Sequence, residues 1–286
     1  MPRRPARSAR RQTLAKRWRR WRRRVSRFIP GAPLRRRWIR AFRRAPGYAQ
    51  IVIGVSLVVV LWLGINWIYQ VVRKPTELFF PVSGTLFKTP QETWQEYAPI
   101  FRAHATNTIR PEFLAALAQI EGSGNPIART YWRWSFTADP LDVYRPASSA
   151  VGMYQFTDGT FAEAKQFCIH DHHVVEDGPW HAWRSCWFNA LYSRVVPSNA
   201  VEMASAYLDV NVERILQRHG VTSVTLQQKQ NVAALMHLCG VGAADEYVAR
   251  GFKLTSGQRC GDHLASGYVA RVNAMKALFA RLAKES

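Results

Sequence analysis

The chain has 286 residues, enough for one mid-sized domain plus further segments, and a formal net charge of +21. The charge sits at one end. Residues 1–47 hold 18 Arg, one Lys and no acid, Arg73 and Lys74 add two more, and from Pro75 onward 19 basic residues face 19 acidic ones. The body of the chain is therefore neutral and lacks the electrostatic footprint of a nucleic-acid-binding domain.

In chain order, the Arg-rich tail (1–47) comes first. Trp18, Trp21, Val25 and Phe28 recur at helical spacing among its arginines, and Leu34, Trp38, Ile39 and Phe42 do so after a Pro-Gly-Ala-Pro break. Two basic amphipathic segments are predicted, suited to an anionic lipid surface. Arg with interleaved Trp also suits phosphate and base stacking, so a nucleic-acid role for the tail stays as the weaker alternative.

Residues 48–72 carry no charge. A bilayer core of ~30 Å takes about 20 helical residues, so this run is long enough to cross one. Tyr48, Trp62, Trp67 and Tyr69 lie where interfacial aromatics are expected. The basic region before the run is too long for a cleaved signal peptide, and no small-x-small site follows. An uncleaved transmembrane helix is predicted. Its lopsided Arg content places the tail in the cytoplasm and the remainder outside, in the periplasm of an inner-membrane protein.

Residues 73–94, with Pro75, Pro81, Gly84 and Pro90, read as a short tether. From residue 95 the rhythm is helical. Helices are predicted from Pro111 to Glu121, from Asp158 through Phe161, Ala164 and Phe167, and over 200–218, 227–238 and 264–282. Residues 129–149 read as an aromatic-rich loop, and no run of alternating strands is found. The expected fold class is mostly α.

All four cysteines, Cys168, Cys186, Cys239 and Cys260, lie beyond the apolar run. An even number in an oxidising compartment predicts two disulfides. Spacing leaves the pairing open; nearest-neighbour closure, 168 with 186 and 239 with 260, is preferred. Between the first two cysteines lie His170, Asp171, His172, His173, Glu176, Asp177 and His181. They match no zinc-ligand spacing, so a polar surface loop is expected there and no metal or other cofactor.

In "LAALAQIEGSGNPIA" (114–128), Leu114, Leu117 and Glu121 fall at i, i+3 and i+7, on one helix face. A carboxyl group at the edge of an apolar face loses hydration, and desolvation favours its protonated form. A general acid working near neutral pH needs that property. The Gly122-Ser123-Gly124 break opens the backbone beside it. On this stretch alone the plain reading, a terminal Glu turned to solvent, is the stronger one.

Glu121 with Gly124-Asn125-Pro126, then Gly152-Met153-Tyr154-Gln155, then Thr160 opening a helix, resembles the lytic transglycosylases with a soluble-lytic-transglycosylase-like (SLT) domain. The third family motif aligns to "MHLCGVGAADEYV", and "GYVARV" is similar to its closing Tyr-Val-x-x-Val. Gly122 stands where the family has Ser, Tyr154 where it has Met, and His237 and Leu238 where it has Tyr and Asn. The resemblance covers about residues 95–283 and implies a lysozyme-like catalytic domain over 95–286. It implies cleavage of peptidoglycan glycan strands between N-acetylmuramic acid and N-acetylglucosamine, with Glu121 as sole acid and base and a 1,6-anhydro product. It further implies substrate contacts at Ser123, Asn125, Gly152, Tyr154, Gln155, His237 and Tyr268. Residues 131–144 are expected as an extra groove wall or a lid.

Two alternatives remain. If Asp139 or Asp142 faced Glu121, the enzyme would be a lysozyme-type hydrolase. Asp139 reads instead as a turn former and Asp158 as a helix N-cap. The other alternative is a weakly active, wall-binding scaffold of an envelope-spanning secretion apparatus, with a partner machine.

Overall fold

The computed structural model describes residues 32–285 apart from Trp180 and Trp183. The amphipathic segment expected around Trp18 to Phe28 lies outside the described residues. Among the described residues the chain forms two compact units, divided after Ile65.

In the first unit, α1 (Ala32–Arg44) carries the second amphipathic segment, with Trp38, Ile39 and Phe42 exposed. Helix α2 (Gly47–Arg73) is long and apolar enough to cross a membrane. It begins one residue before the uncharged run and ends one after it. Most of its apolar side chains are exposed, which a soluble helix would not tolerate.

The second unit opens with the last two turns of α2. The stretch expected as a tether is instead folded onto the domain. It forms a 3₁₀ turn (Pro75–Phe79) and the short helix α3 (Phe80–Ser83). Glu77 is fully buried there and accepts from Arg129 Nη1 and Trp132 Nε1, both at 2.9 Å. Both bonds fall on Oε2, and Lys74 Nζ lies 3.2 Å from Oε1, so the buried charge is compensated by two cations.

Helix α4 (Pro90–Ala103) starts at a Thr89–Glu92 capping box with Pro90 in its first turn. Helix α5 (Pro111–Gly122) also opens on a proline. Its residues Phe113, Leu114, Ala115, Ala116, Leu117 and Ala118 are all 0 % exposed, so α5 is buried all round and not amphipathic as its pattern suggested. Helices α7 (Pro197–Arg218), α8 (Leu226–Cys239) and α10 (Ala265–Glu285) complete the main bundle, with α10 packed along both α5 and α8. Helix α9 (Val241–Ala249) follows α8 directly. The second unit, like the chain, is mostly helical.

Two expectations fail here. Helix α6 (Asp158–Ala164) stops before Phe167, and its N-cap is Thr157, which accepts from Thr160 N; Asp158 is its first helical residue. Short strands also occur, as three antiparallel hairpins among the described residues: β1 (Trp132–Trp134) with β2 (Tyr144–Pro146), β3 (Phe167–His170) with β4 (His173–Glu176), and β5 (Arg259–Cys260) with β6 (His263–Leu264). Each strand is two to four residues long, too short to show an alternating pattern in sequence. The β3–β4 turn places Asp171 and His172 at φ of 51° and 65°, the pair of left-handed residues that a two-residue hairpin demands.

Both preferred disulfides are present. Cys168 pairs with Cys186 and Cys239 with Cys260, at Cα separations of 5.4 and 5.3 Å. The first clips the β3–β4 hairpin to the following loop. The second ties β5 to the end of α8.

Candidate active site

Three helix ends converge around Glu121. The carboxylate leaves α5 at its last turn, beside His237 in the last turn of α8 and Tyr268 in the first turn of α10. The Tyr268 hydroxyl donates to Glu121 Oε1. His237 Nε2 lies 3.7 Å from the same oxygen. Glu121 keeps 19 % of its side chain exposed and His237 only 7 %, so the carboxyl is the group that reaches solvent.

Tyr268 is 2 % exposed. Burial first, then the Glu121 charge and hydrogen bond, push its phenol well above the ordinary tyrosine value, so it remains a protonated donor. The imidazole of His237 packs on Phe156, ring centroids 5.8 Å apart, which limits its rotation.

The backbone after Glu121 is tightly held. Ser123 caps α5 in the left-handed region at φ 49°, ψ 43°. Its amide and that of Gly124 close the helix on Gln119 O and Ala118 O, and its carbonyl accepts from Lys88 N at 2.9 Å. A non-glycine residue in that conformation is uncommon and marks local strain.

Gly122 has a plain steric reason. A Cβ there would lie 2.8 Å from Met153 Cα and 2.9 Å from Met153 O. The turn holding Gly152 to Gln155 presses its backbone directly against the end of α5. Gly152 itself, at φ 84°, would place a Cβ 2.3 Å from Arg194 O. The first two motifs are thus one packed unit, and glycine at 122 is what lets them meet.

Several residues expected at the substrate are placed otherwise. Tyr154 is 1 % exposed, with its hydroxyl donating to Leu114 O, so it belongs to the core beneath the site and presents no face to a sugar. Asn125 is fully buried; it donates to Ser83 O at 2.5 Å and accepts from Ile127 N at 2.9 Å. It pins the folded tether to the loop. Gln155 spends its amide on Ala128 O and Gly152 O at 3.0 and 2.8 Å. Gly152 is buried. These four build the loop, while Glu121, His237 and Tyr268 meet, with Ser123 beside them in sequence.

The other carboxylates are engaged elsewhere. Asp142 pairs with Arg73 at 2.9 Å and Asp158 with Arg194 at 2.6 Å. Asp139 accepts from Leu141 N at 2.8 Å, the turn role expected of it. The aromatic segment carries the short strands of the β1–β2 hairpin, joined by a loop over 135–143 and bonded to the end of α2. The histidine-rich segment is the β3–β4 hairpin, with His172 Nδ1 2.8 Å from Ala105 O. Among the described residues, no three His, Cys, Asp or Glu side chains form a group able to hold a metal ion.

One residue escaped the sequence reading. His263 on β6 is exposed, with its ring centroid 6.5 Å from that of Tyr268. It sits five positions before Tyr268, and β6 leads directly into α10, so its place beside the phenol follows from the local chain.

No family model matches the chain, and no curated protein matches its sequence.

Proposed function

We propose that the protein is a membrane-anchored lytic transglycosylase of the bacterial cell wall, with a lysozyme-like domain of mostly α structure in the periplasm. The observation that carries this reading is the Glu121 carboxyl at the meeting of three helix ends, hydrogen-bonded by Tyr268 and flanked by His237. Both contacts fall on Oε1, which leaves Oε2 for a substrate proton.

In this reading Glu121 gives its proton to the oxygen of the leaving N-acetylglucosamine as the bond to C1 of N-acetylmuramic acid breaks. The resulting carboxylate then takes the proton of that sugar's own C6 hydroxyl, and O6 bonds to C1. Atoms and charge balance without water, and the product is a 1,6-anhydro sugar. A second carboxylate, which glycoside hydrolases generally require, is not needed. Engagement of Asp139, Asp142 and Asp158 with other partners favours this over hydrolysis. The apolar helix and the Arg-rich tail support an inner-membrane location with the tail in the cytoplasm.

The test is digestion of purified peptidoglycan by the full chain in detergent, with products weighed by mass spectrometry. Anhydro-muropeptides are expected, and Glu121→Gln should reduce their release by about 10²–10⁴-fold, the usual worth of a general acid–base group. Reducing-end products would make the enzyme a hydrolase. Wall binding without products would leave a scaffold.

A further inference from the structure

The β1–β2 hairpin pairs Trp132 with Pro146, Arg133 with Arg145 and Trp134 with Tyr144. Strand alternation puts Trp132, Trp134, Tyr144 and Pro146 on one face and the two arginines on the other. Trp134 lies on Tyr144 with ring centroids 4.7 Å apart. Yet Trp134 is 64 % exposed, Tyr131 66 % and Phe136, at the tip, 106 %. Three large aromatic side chains in water on one short hairpin call for a partner.

Its attachment identifies that partner. Asn66 Nδ2 donates to Tyr144 O and Gln70 Nε2 to Leu141 O, both at 2.7 Å, and Arg73 Nη1 donates to Asp142 Oδ1 at 2.9 Å. Asn66 and Gln70 are 1 % and 5 % exposed, so these are buried, committed bonds. The three donors occupy one face of the last two turns of α2. An apolar core of ~30 Å consumes about 20 residues of helix, which brings residues 66–73 to the headgroup level. A hairpin bonded to those turns sits at the same level. There amphipathic aromatics are favoured, and the exposed Arg133 suits lipid phosphates, while Arg145 already pairs with Asp142 at 3.7 Å.

We propose that the β1–β2 hairpin is a membrane-interface anchor. Trp134 and Phe136 enter the headgroup zone of the leaflet from which α2 emerges and seat the folded domain on the lipid surface. This rests on α2 crossing a membrane, and not on the glycan chemistry.

The experiment uses the full chain in phospholipid vesicles. All four native cysteines are paired, so Phe136→Cys supplies the free thiol for an environment-sensitive fluorophore. Phe136 contributes no core packing, so the substitution leaves the fold intact. Blue-shifted emission, quenched strongly by nitroxides near the top of the lipid chains and weakly by nitroxides near their ends, is the expected result. Water-like emission quenched by aqueous iodide overturns the proposal, as does a shift seen only when peptidoglycan is added. A label at Val58→Cys checks the underlying reading. Strong quenching at Val58 by the deep nitroxides together with none at Phe136 refutes the hairpin alone, whereas iodide quenching at both positions refutes the membrane-spanning helix.

Discussion

The phenol of Tyr268, one turn into α10, donates to Oε1 of Glu121 at the opposite end of the paired helix α5, across 147 positions of sequence. A hydrogen bond to a charged group is worth about 1.5–3 kcal/mol, or roughly 10- to 100-fold in rate if it is made in the reacting state. Tyr268→Phe is expected to lower anhydro-muropeptide release by about that factor. Because the phenol is held protonated well above its ordinary range, its own ionisation does not shape activity below pH ~10. A rate in Tyr268→Phe equal to that of wild type would show that the bond is not made in the reacting state.

Gly122→Ser restores the residue found in the resembled family, yet it should harm this protein. The new Cβ would meet the Met153 backbone, which cannot swing aside as a side chain could. Overpacking of this kind costs about 1–3 kcal/mol. Urea unfolding in detergent should show a lower midpoint, and activity should drop because Glu121 is the preceding residue. An unchanged midpoint would mean that the two motifs are less tightly apposed.

Asn125 separates a structural from a substrate-binding role. Asn125→Ala leaves the buried Ser83 carbonyl and Ile127 amide without their partner. The expected loss is about 1–3 kcal/mol of stability. KM for glycan strands should stay the same in protein kept folded at low temperature. A raised KM at full stability would return Asn125 to the groove.

The fourth prediction concerns pH. His104 Nε2 lies 2.9 Å from Ser198 Oγ, and burial lowers its pKa despite the opposing charge of Glu202, with His172 lowering it further. The unfolded chain, with a histidine value of about 6.5, then holds this proton more tightly than the folded one. Stability should accordingly fall as pH drops below about 6.5. Unfolding midpoints measured across that range should decline less steeply in His104→Gln. Equal slopes would assign the acid sensitivity to other groups.

The apolar run at 48–72, the helical rhythm after residue 95 and the pairing of neighbouring cysteines were all legible in sequence. Each depends on local physics: hydrophobic length, 3.6-residue periodicity and short loop closure. The prediction that Leu114, Leu117 and Glu121 form one face was too modest. Alanines 115, 116 and 118 are small enough to be surrounded, and only the packed bundle shows that α5 is central.

The site was legible in its carboxylate and much less so in its surroundings. Sequence order singled out Glu121, because a charge at the end of an apolar helix is conspicuous. Tyr154, Asn125 and Gln155 looked like groove residues because polar and aromatic side chains near a motif can serve either packing or binding. Burial of Tyr154 and Asn125 and the backbone bonds of the Gln155 amide distinguish the two, and both are properties of the whole fold. His237 and Tyr268 reach the carboxylate through helix packing, contacts between residues far apart in the chain. By itself, the sequence determined which segments are apolar, helical or cross-linked, and it marked the one carboxylate that such a helix would not carry idly. The tertiary structure decided which side chains that carboxylate meets. Long-range packing sets the distances on which proton transfer depends, and no local pattern encodes them.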